Sequence, residues 1–297
     1  MTKKQMAAAM IAATLLFSGC MIRRTPVPES QRLLPAQTRS FPEILQLLAV
    51  RSQAVKSLKA ARVVFQPSAG ARKKNEISDL RLPIDGYLLV NRPHEMHIHL
   101  SAPVLNTTLA EMVSDGREYK LWSPTSNSFY VGKADESIQI GKLDLQLPSP
   151  RDMAMAMFVD ISPYLGNPGK YRLVQTEAVE TPHSYYVVSV VDIESDSVEA
   201  QARQEIWIDR TSMEITRQVL YGKEGAILTV AEFSGFPSSG EVVFPKSVTI
   251  HRPVEDVDLK ITFVNAEPNA DLPGEDFQLS QPEGSQLIQL QGSAEKR

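Results

Sequence analysis

Apolar residues recur at helical spacing between residues 42 and 60. Ile44 and Leu48 lie on one stripe, and Pro42 suits the first turn of a helix. We therefore predict a helix over residues 42–60. The next segment, 67–79, has the proline, glycine and polar residues that are typical of a loop.

Strand patterns dominate the rest of the chain. About five short β-rich runs lie between residues 86 and 131, and about seven lie between residues 171 and 264. Turn signals such as Asp115-Gly116 separate these runs, and this regular spacing predicts an antiparallel meander. The interval between the two groups differs, because Arg151–Phe158 has the pattern of one or two helical turns.

The predicted fold class is α+β, mostly β. One domain over residues 41–285 is expected to form a strongly curved antiparallel sheet, an incomplete β-barrel, and a polar tail over 286–297 is expected to fray. The concave apolar face needs a cover, and the helices over 42–60 and 151–158 are the candidates. Strands such as 185–191 are apolar on both faces. Either the sheet is covered more fully than two helices allow, or part of its apolar surface binds a ligand or partner.

The composition limits the classes of function. Of the 297 residues, 42% are hydrophobic and 22% are charged, as in globular proteins. The formal net charge is −4, and the absence of a Lys/Arg run predicts no nucleic-acid partner. A single cysteine excludes an internal disulfide and a Cys-based zinc cluster.

The N-terminus has the order of a secretory signal peptide. Lys3 and Lys4 precede about a dozen apolar residues, a run too short to span a bilayer comfortably. Small residues then come directly before Cys20, and this resembles the lipobox of bacterial lipoproteins, although Phe17 stands where that pattern prefers Leu. The alternative is an ordinary signal peptide followed by an unrelated cysteine.

The lipobox resemblance implies how the chain is anchored. It implies a signal peptide over 1–19, lipid such as palmitate attached to Cys20, and a flexible tether over 20–40. Two or more acyl chains hold a protein stably on a membrane, where one does not. Met21 stands where an Asp commonly signals inner-membrane retention, so in a Gram-negative host the resemblance implies the periplasmic face of the outer membrane.

Four segments follow one order of strand and turn. Residues 86–103 have the pattern of a strand, a polar turn with proline and a second strand, and residues 112–124 have that of two strands joined by an Asp-Gly turn and followed by proline. Residues 205–217 contain a strand with an apolar-Trp-apolar-Asp sequence, and residues 243–250 have the pattern of a late strand that follows a proline. In this order the chain, over roughly 41–285, resembles the LolA/LolB-like superfamily of periplasmic lipoprotein carriers and outer-membrane lipoprotein receptors. Members close an incomplete β-barrel with helices around an apolar cavity for acyl chains. The resemblance therefore implies lipid or lipoprotein binding and a part in lipoprotein sorting.

A methionine-rich segment supplies the main candidate site residues. Met153, Met155 and Met157 alternate with alanines, and their flexible thioethers suit a core or a deformable pocket cover, the version that the resemblance favours. A Cu(I) site is an alternative, although on a helix Met155 points away from the other two. The tryptophans lie in predicted strands, where sheet core is the alternative role. The candidate cavity or cover residues are Met153, Met155, Met157, Phe158, Trp122 and Trp207.

Other chemistry is poorly represented. His94, Glu95, His97 and His99 cluster, but Ile98 breaks the His-Glu-x-x-His spacing of a zinc-binding helix. We predict a solvated strand face there, with no metal and no cofactor. The sequence has no Gly-x-Ser-x-Gly elbow and no phosphate-binding loop, so we predict that the chain is not an enzyme.

Three functions remain to be compared. A lipid-anchored envelope protein that binds acyl chains predicts a dry apolar cavity beneath 151–158 and 42–60. An envelope assembly or scaffold protein with the same fold predicts a packed interior and apolar area outside. A concealed hydrolase or metal-dependent enzyme predicts polar groups that converge in a cleft.

Overall fold

The computed structural model describes residues 32–69, 83–103, 107–140, 145–193, 199–237 and 242–290. The predicted signal peptide, Cys20 and the first part of the predicted tether lie outside these residues, as does most of the predicted loop 67–79. The described α-helices are α1 (Phe41–Ala54), α2 (Pro150–Met157) and α3 (Ser162–Leu165). Among the described residues, none of the helices is long and apolar enough to cross a membrane.

The described strands cover both predicted groups. They are β1 (Ser57–Ala69), β2 (Ile84–Asn91), β3 (Glu95–Ser101), β4 (Thr108–Ser114), β5 (Glu118–Ser123), β6 (Ser128–Lys133), β7 (Ile138–Ile140), β8 (Leu145–Leu147), β9 (Tyr171–Glu180), β10 (His183–Ile193), β11 (Ala200–Asp209), β12 (Ile215–Tyr221), β13 (Ile227–Ser234), β14 (Ser247–Arg252), β15 (Val257–Pro268) and β16 (Gln286–Gln289). The late strand predicted over 243–250 begins only at Ser247, after Pro245, and ends at Arg252.

Fourteen of the described strands form one sheet, in the order β16-β6-β5-β4-β3-β2-β1-β15-β14-β13-β12-β11-β10-β9. Neighbours run antiparallel except β16, which pairs parallel to β6. β1 lies in the middle and joins the meander β2–β6 to the meander β9–β15. The outermost strands, β9 and β16, do not pair with each other, so the sheet is strongly curved but not closed into a barrel, as predicted.

The apolar core lies on the concave face. Leu88, Ile98, Met112 and Leu121 are paired across β2, β3, β4 and β5, and all four are buried. Successive side chains of a strand point to opposite faces of a sheet, so these four side chains share one face. Because this face is buried under other parts of the chain, it is the concave side of the sheet. The buried faces of α1 and α2 cover part of the concave side, as predicted.

The helix predicted over 42–60 is too long. α1 ends at Ala54, and the chain enters β1 at Ser57. The predicted loop is likewise wrong for 67–69, because these residues end β1 and pair with β15. Asn269, beyond the end of β15, donates from Nδ2 to the carbonyl of Ala54 at 2.8 Å and accepts from the Lys56 amide at 2.8 Å. This residue, more than 200 positions away in the sequence, supplies partners for backbone groups that the helix leaves unpaired at its end.

A small hairpin supplies part of the cover that the sequence assigns to helices alone. Strands β7 and β8 pair with each other and place Ile138, Ile140 and Leu147 over Ile98 and Met112. The space left between the hairpin and the sheet is only about 10 Å³. This end of the concave face is therefore filled by protein.

Both ends of the described chain are held against the sheet. In the predicted tether, Leu34 donates to the carbonyl of Pro182 and Gln37 donates to the carbonyl of Arg210, each at 2.8 Å. The predicted fraying from Gln286 is wrong for 286–289, because these residues form β16. β16 is ordered because its backbone pairs with β6, whose edge would otherwise be open.

Candidate functional site

Two cavities flank the C-terminal end of α2 on the concave side. The inner cavity, of about 70 Å³, is lined mainly by apolar residues, among them Val55, Met157, Ile215 and Phe244. The outer one, which we call the crevice, measures about 330 Å³ and lies beside α2, α3, β11 and β12. Arg92 and Phe158 line both cavities. The crevice lining also includes Pro93, Gly116, Met155, Tyr164, Gln204 and Leu220.

Arg92 holds the partition between the cavities in place. Its guanidinium lies 5.3 Å from the centre of the Phe158 ring and pairs with Asp160 at 3.0 Å. The same group donates to the carbonyls of Ser52 and Val55 at 2.6 and 2.9 Å, near the end of α1. One side chain therefore connects α1, the β2–β3 turn and the segment that follows α2.

The Phe158 ring is largely buried and belongs to an aromatic row. Its centroid lies 5.8 Å from that of Phe244, which lies 5.2 Å from that of Phe263. Phe158 follows the last residue of α2 and has extended backbone angles. A rotation of this one ring would change the apolar connection between the crevice and the inner cavity.

Polar contacts fix α2 at its N-terminal end. Ser149 caps the helix by accepting from the Asp152 amide at 3.1 Å. Asp152 also pairs with the buried Arg252 at 3.0 Å, and Arg252 pairs in turn with Glu255. Burial raises the pKa of Asp152, although Arg252 and Ser149 oppose this effect. A largely buried ionic cluster therefore connects α2 to β14.

A pair of buried glutamines fixes the other end of α2. Gln218 donates from Nε2 to the carbonyls of Met155 and Ala156, both at 2.8 Å. Since only its amide nitrogen can donate, its oxygen must be the atom that accepts from Gln204 Nε2 at 3.0 Å. This order of bonds leaves Gln204 Oε1 buried and without a partner in the described structure. Gln204 lines the crevice, so the crevice wall carries an unsatisfied acceptor.

The rim of the crevice is more basic than acidic. Arg151 donates to the carbonyl of Gly116 at 3.1 Å, and its closest described carboxylate, Asp135, is 3.5 Å away. Both side chains of that pair are about half exposed. His94 is exposed and packs on Gly116, where an added Cβ would lie 2.6 Å from the His94 Cβ. The β2–β3 turn, the β4–β5 turn and the first turn of α2 therefore meet at this rim.

The volumes limit what the closed structure can hold. Pockets for small molecules commonly measure about 300–1,000 Å³. The crevice, at about 330 Å³, lies at the lower limit, and the inner cavity, at about 70 Å³, is far below it. A third depression of about 570 Å³ lies between the N-terminal segment and α1, but Gln37, Arg39, Glu43 and Gln46 make much of its lining polar. The crevice and the inner cavity are therefore the better apolar candidates.

The four candidates in and after α2 lie together but have different surroundings. Met153 is fully buried in the core, and Met157 lines the inner cavity. Met155 is 47% exposed and lines the crevice. Phe158 lies between the two cavities. Ligand binding by these side chains stays a prediction.

The two tryptophan candidates lie elsewhere. Trp122 alternates with the buried Tyr119 and Leu121, and Trp207 alternates with the buried Ile206 and Ile208. Both therefore point to the convex face, away from the cavities. On that face, the Arg217 guanidinium stacks 4.8 Å from the Trp207 ring. The placement of these two side chains in the concave cavity is wrong, because each lies one residue out of phase with the core positions.

The predicted solvated face at the histidine cluster is wrong for His97, which is only 7% exposed. His97 contacts Glu111 at 3.0 Å, Tyr87 at 3.1 Å and the carbonyl of Asp276 at 2.6 Å. Its hydrogen bond lowers the pKa of Glu111 despite partial burial, and burial and the Glu111 carboxylate raise the pKa of Tyr87 to about 12. In the described part of the chain, no cluster of three or more His, Cys, Asp or Glu residues could hold a metal ion. The C-terminal segment that covers His97 is not visible in the local sequence pattern.

Sequence reasoning missed three residues of the site. Arg92 was identified only as part of a turn, and no local signal shows that it bonds to α1. Gln204 and Gln218 do have a signal, because Gln204 shares a strand face with Ile206 and Ile208. A polar residue at a core-facing position marks either a buried network or a ligand contact.

The comparisons with known proteins bear on the fold. No protein-family model and no curated protein sequence matches the chain. Among solved structures, a LolA superfamily protein from Nitrosomonas europaea has 11% identity and a TM-score of 0.51, and the match covers 82% of this chain and 99% of that chain. A DUF1329 family protein from Desulfovibrio piger has 14% identity and a TM-score of 0.50, covering 81% of this chain and 98% of that chain. This chain therefore has the LolA-like fold, a curved and open antiparallel sheet.

Proposed function

We propose that this chain binds acyl chains, of lipoproteins or of another lipid, on the concave side of its sheet. The observation that carries the proposal is the position of Phe158, which lines both the crevice and the mainly apolar inner cavity. The LolA-like fold supports it, since the sequence resemblance to lipoprotein carriers and receptors implies the same kind of ligand. The chemistry is binding only, with no catalytic step.

Neither cavity alone has room for a long chain, so its uptake needs one movement. Displacing Phe158 would join the crevice to the inner cavity and extend an apolar path past Met157 and Phe244. Most of the residues along this path are apolar, so a hydrocarbon chain leaves water there, while Arg92 and Gln204 contribute polar groups to the lining. The exposed Met155 lies at the open end, where a flexible side chain can adjust to the ligand.

The N-terminal motif supports a place for this activity. We propose that residues 1–19 are removed as a signal peptide, that Cys20 carries lipid and that the folded domain begins near residue 41. An anchored binder would receive or hold a ligand at the periplasmic face of the outer membrane in a Gram-negative host, in lipid or lipoprotein sorting. The segment 32–40 docks on the sheet, so the free tether would consist of the residues before it.

The test is to purify the full chain with Cys20→Ser, without detergent, and to measure it by native mass spectrometry before and after organic extraction. A stoichiometric lipid, lost in Met155→Asp and kept in Val264→Asp, supports the proposal. These two positions are similarly exposed, at 47% and 51%, but only Met155 lines the crevice. A clean apo mass and no uptake of a fluorescent acyl probe would contradict it.

A scaffold function is the second candidate, and the filled end of the concave face favours it. The hairpin β7–β8 leaves about 10 Å³ over the sheet, and apolar side chains such as Val174 and Val179 are exposed on the edge strand β9. A scaffold would use such outer surfaces for an envelope protein partner. It predicts that variants around Phe158 change stability but not any ligand content.

A further inference from the structure

We propose that the crevice selects amphiphiles with an anionic head, a carboxylate or a phosphate monoester, and that Arg151 contacts this head. The inference rests on the proposed function, because it assumes that the tail enters past Phe158. It adds the chemical class of the head, which an apolar cavity alone does not specify.

The first support is the imbalance of charge around the crevice. Its lining contains Arg92, Arg151, His94 and one carboxylate, that of Asp160. Asp160 already pairs with Arg92 at 3.0 Å and accepts from the Ser162 amide at 2.8 Å. The lining itself therefore holds two guanidinium groups and one carboxylate, and the second guanidinium, that of Arg151, has only Asp135 outside the lining as a partner, at 3.5 Å.

The second support is the geometry of Arg151. A guanidinium has five N–H donors, and here the described contacts are one bond to the Gly116 carbonyl and a loose pair with Asp135 at 3.5 Å. Gly116 fixes the direction of the side chain, while half of its surface stays accessible. A planar cation held in this way can bind a carboxylate or phosphate through two N–H groups.

The third support is the order of polar and apolar groups along the crevice. Arg151 and His94 are exposed, as is Met155, while Leu220 and Phe158 are buried and supply apolar surface. An amphiphile would match both parts, because its head would meet the guanidinium while its tail leaves water. A neutral lipid would gain only the apolar contacts, and a cationic lipid would meet charge of its own sign.

The experiment compares two probes that differ only in head charge. The full chain with Cys20→Ser is titrated with cis-parinaric acid and with its methyl ester, at low and at high salt. We expect the acid to bind about five-fold more tightly than the ester at low salt, the size of one exposed ion pair. Salt should reduce this preference. Arg151→Gln should abolish the preference, and Arg151→Lys should restore part of it.

The matched control is Arg62→Gln. Arg62 is also an exposed arginine in a loose pair, 3.7 Å from Asp85, but it lies in β1 away from the crevice. This variant should keep the preference for the acid. A preference that survives Arg151→Gln, or is lost equally in Arg62→Gln, overturns the assignment of the head to Arg151.

Two further outcomes separate the inference from the proposed function. Equal binding of acid and ester by the unsubstituted crevice overturns the inference and leaves acyl binding standing. Binding of neither probe overturns both. Displacement of bound parinaric acid by dodecanoate, dodecyl phosphate and dodecanol then distinguishes the two heads, and equal displacement by all three also overturns the inference.

Discussion

The guanidinium of Arg92 lies 5.3 Å from the centre of the Phe158 ring, and these two residues form the wall between the crevice and the inner cavity. Arg92 also bonds to carbonyls near the end of α1 and to Asp160. The position of the ring is therefore coupled to the packing of α1 and to the turn between β2 and β3. Changes at either residue should alter both uptake and stability, but in different proportions.

Phe158→Leu should increase the uptake of an acyl probe. The smaller side chain opens the partition, while a hydrophobic exchange of this kind costs about 1–2 kcal/mol of unfolding free energy. The measurement is a probe titration combined with urea unfolding. Phe65→Leu is the control, since Phe65 is buried in β1 away from both cavities. Equal uptake by the wild type and Phe158→Leu, or an equal gain in Phe65→Leu, would contradict the proposal that Phe158 limits access to the inner cavity.

Arg92→Met should destabilise the fold by about 2–3 kcal/mol, because it removes charge-assisted hydrogen bonds to two carbonyls and to a carboxylate. Asp160→Asn is the matched comparison. It weakens only the ion pair, in which Asp160 is 37% exposed, so we expect a loss of about 1 kcal/mol or less. Both values come from urea unfolding. If the two variants lose the same free energy, the bonds to α1 contribute little.

Gln218→Met should loosen α2. The variant leaves the carbonyls of Met155 and Ala156 without their side-chain donor, at a cost of about 2 kcal/mol. Hydrogen exchange of the amides in 151–157 should become faster, and the same amides should be unchanged in Gln66→Met, an exposed position in β1. Unchanged exchange in both variants would show that packing alone holds the cover.

Glu111→Gln should make the free energy of unfolding less sensitive to acid. The hydrogen bond from His97 holds the pKa of Glu111 below its ordinary value of 4.5, despite partial burial. A lowered pKa stabilises the fold above the ordinary value, and this contribution is lost as the pH falls through the folded-state pKa. The difference in unfolding free energy between wild type and Glu111→Gln should therefore be largest near pH 6 and shrink below about pH 4.5. The exposed Glu118→Gln is the control, and a difference that does not change with pH would contradict this contribution.

Local pattern predicted most of the sheet, since turn residues and alternation mark the strands of both meanders. It could not predict where α1 ends, because Asn269 binds the end of the helix from the far side of the sequence. It missed the central strand β1, whose first residues continue the apolar pattern assigned to the helix over 42–60 and whose last residues fall in the predicted loop. It also missed β7 and β8, whose three residues each are too short for a periodic signal, and β16, whose partner is the distant β6.

At the site, the sequence predicts the methionine-rich helix but not the wall that Arg92 and Phe158 form between the two cavities. Phe158 is a candidate as the last residue of the predicted helical segment 151–158, whereas its contact with Arg92 joins segments more than 60 residues apart in the sequence. The tryptophans were assigned by residue type, and their strand phase places them on the convex face. Counting positions from Ile206 would have placed Trp207 correctly and would have revealed Gln204 as a polar residue on the concave face.

Photo-crosslinking with a palmitate analogue that carries a diazirine in mid-chain tests acyl binding most directly. The full chain with Cys20→Ser is irradiated with the probe, digested and mapped by mass spectrometry. We predict saturable labelling on both sides of the partition, at Met155 and Phe158 and at Phe244, and competition by unlabelled palmitate. Labelling confined to the convex face, around Trp122 and Trp207, or labelling that does not saturate, would contradict acyl binding in the crevice and inner cavity.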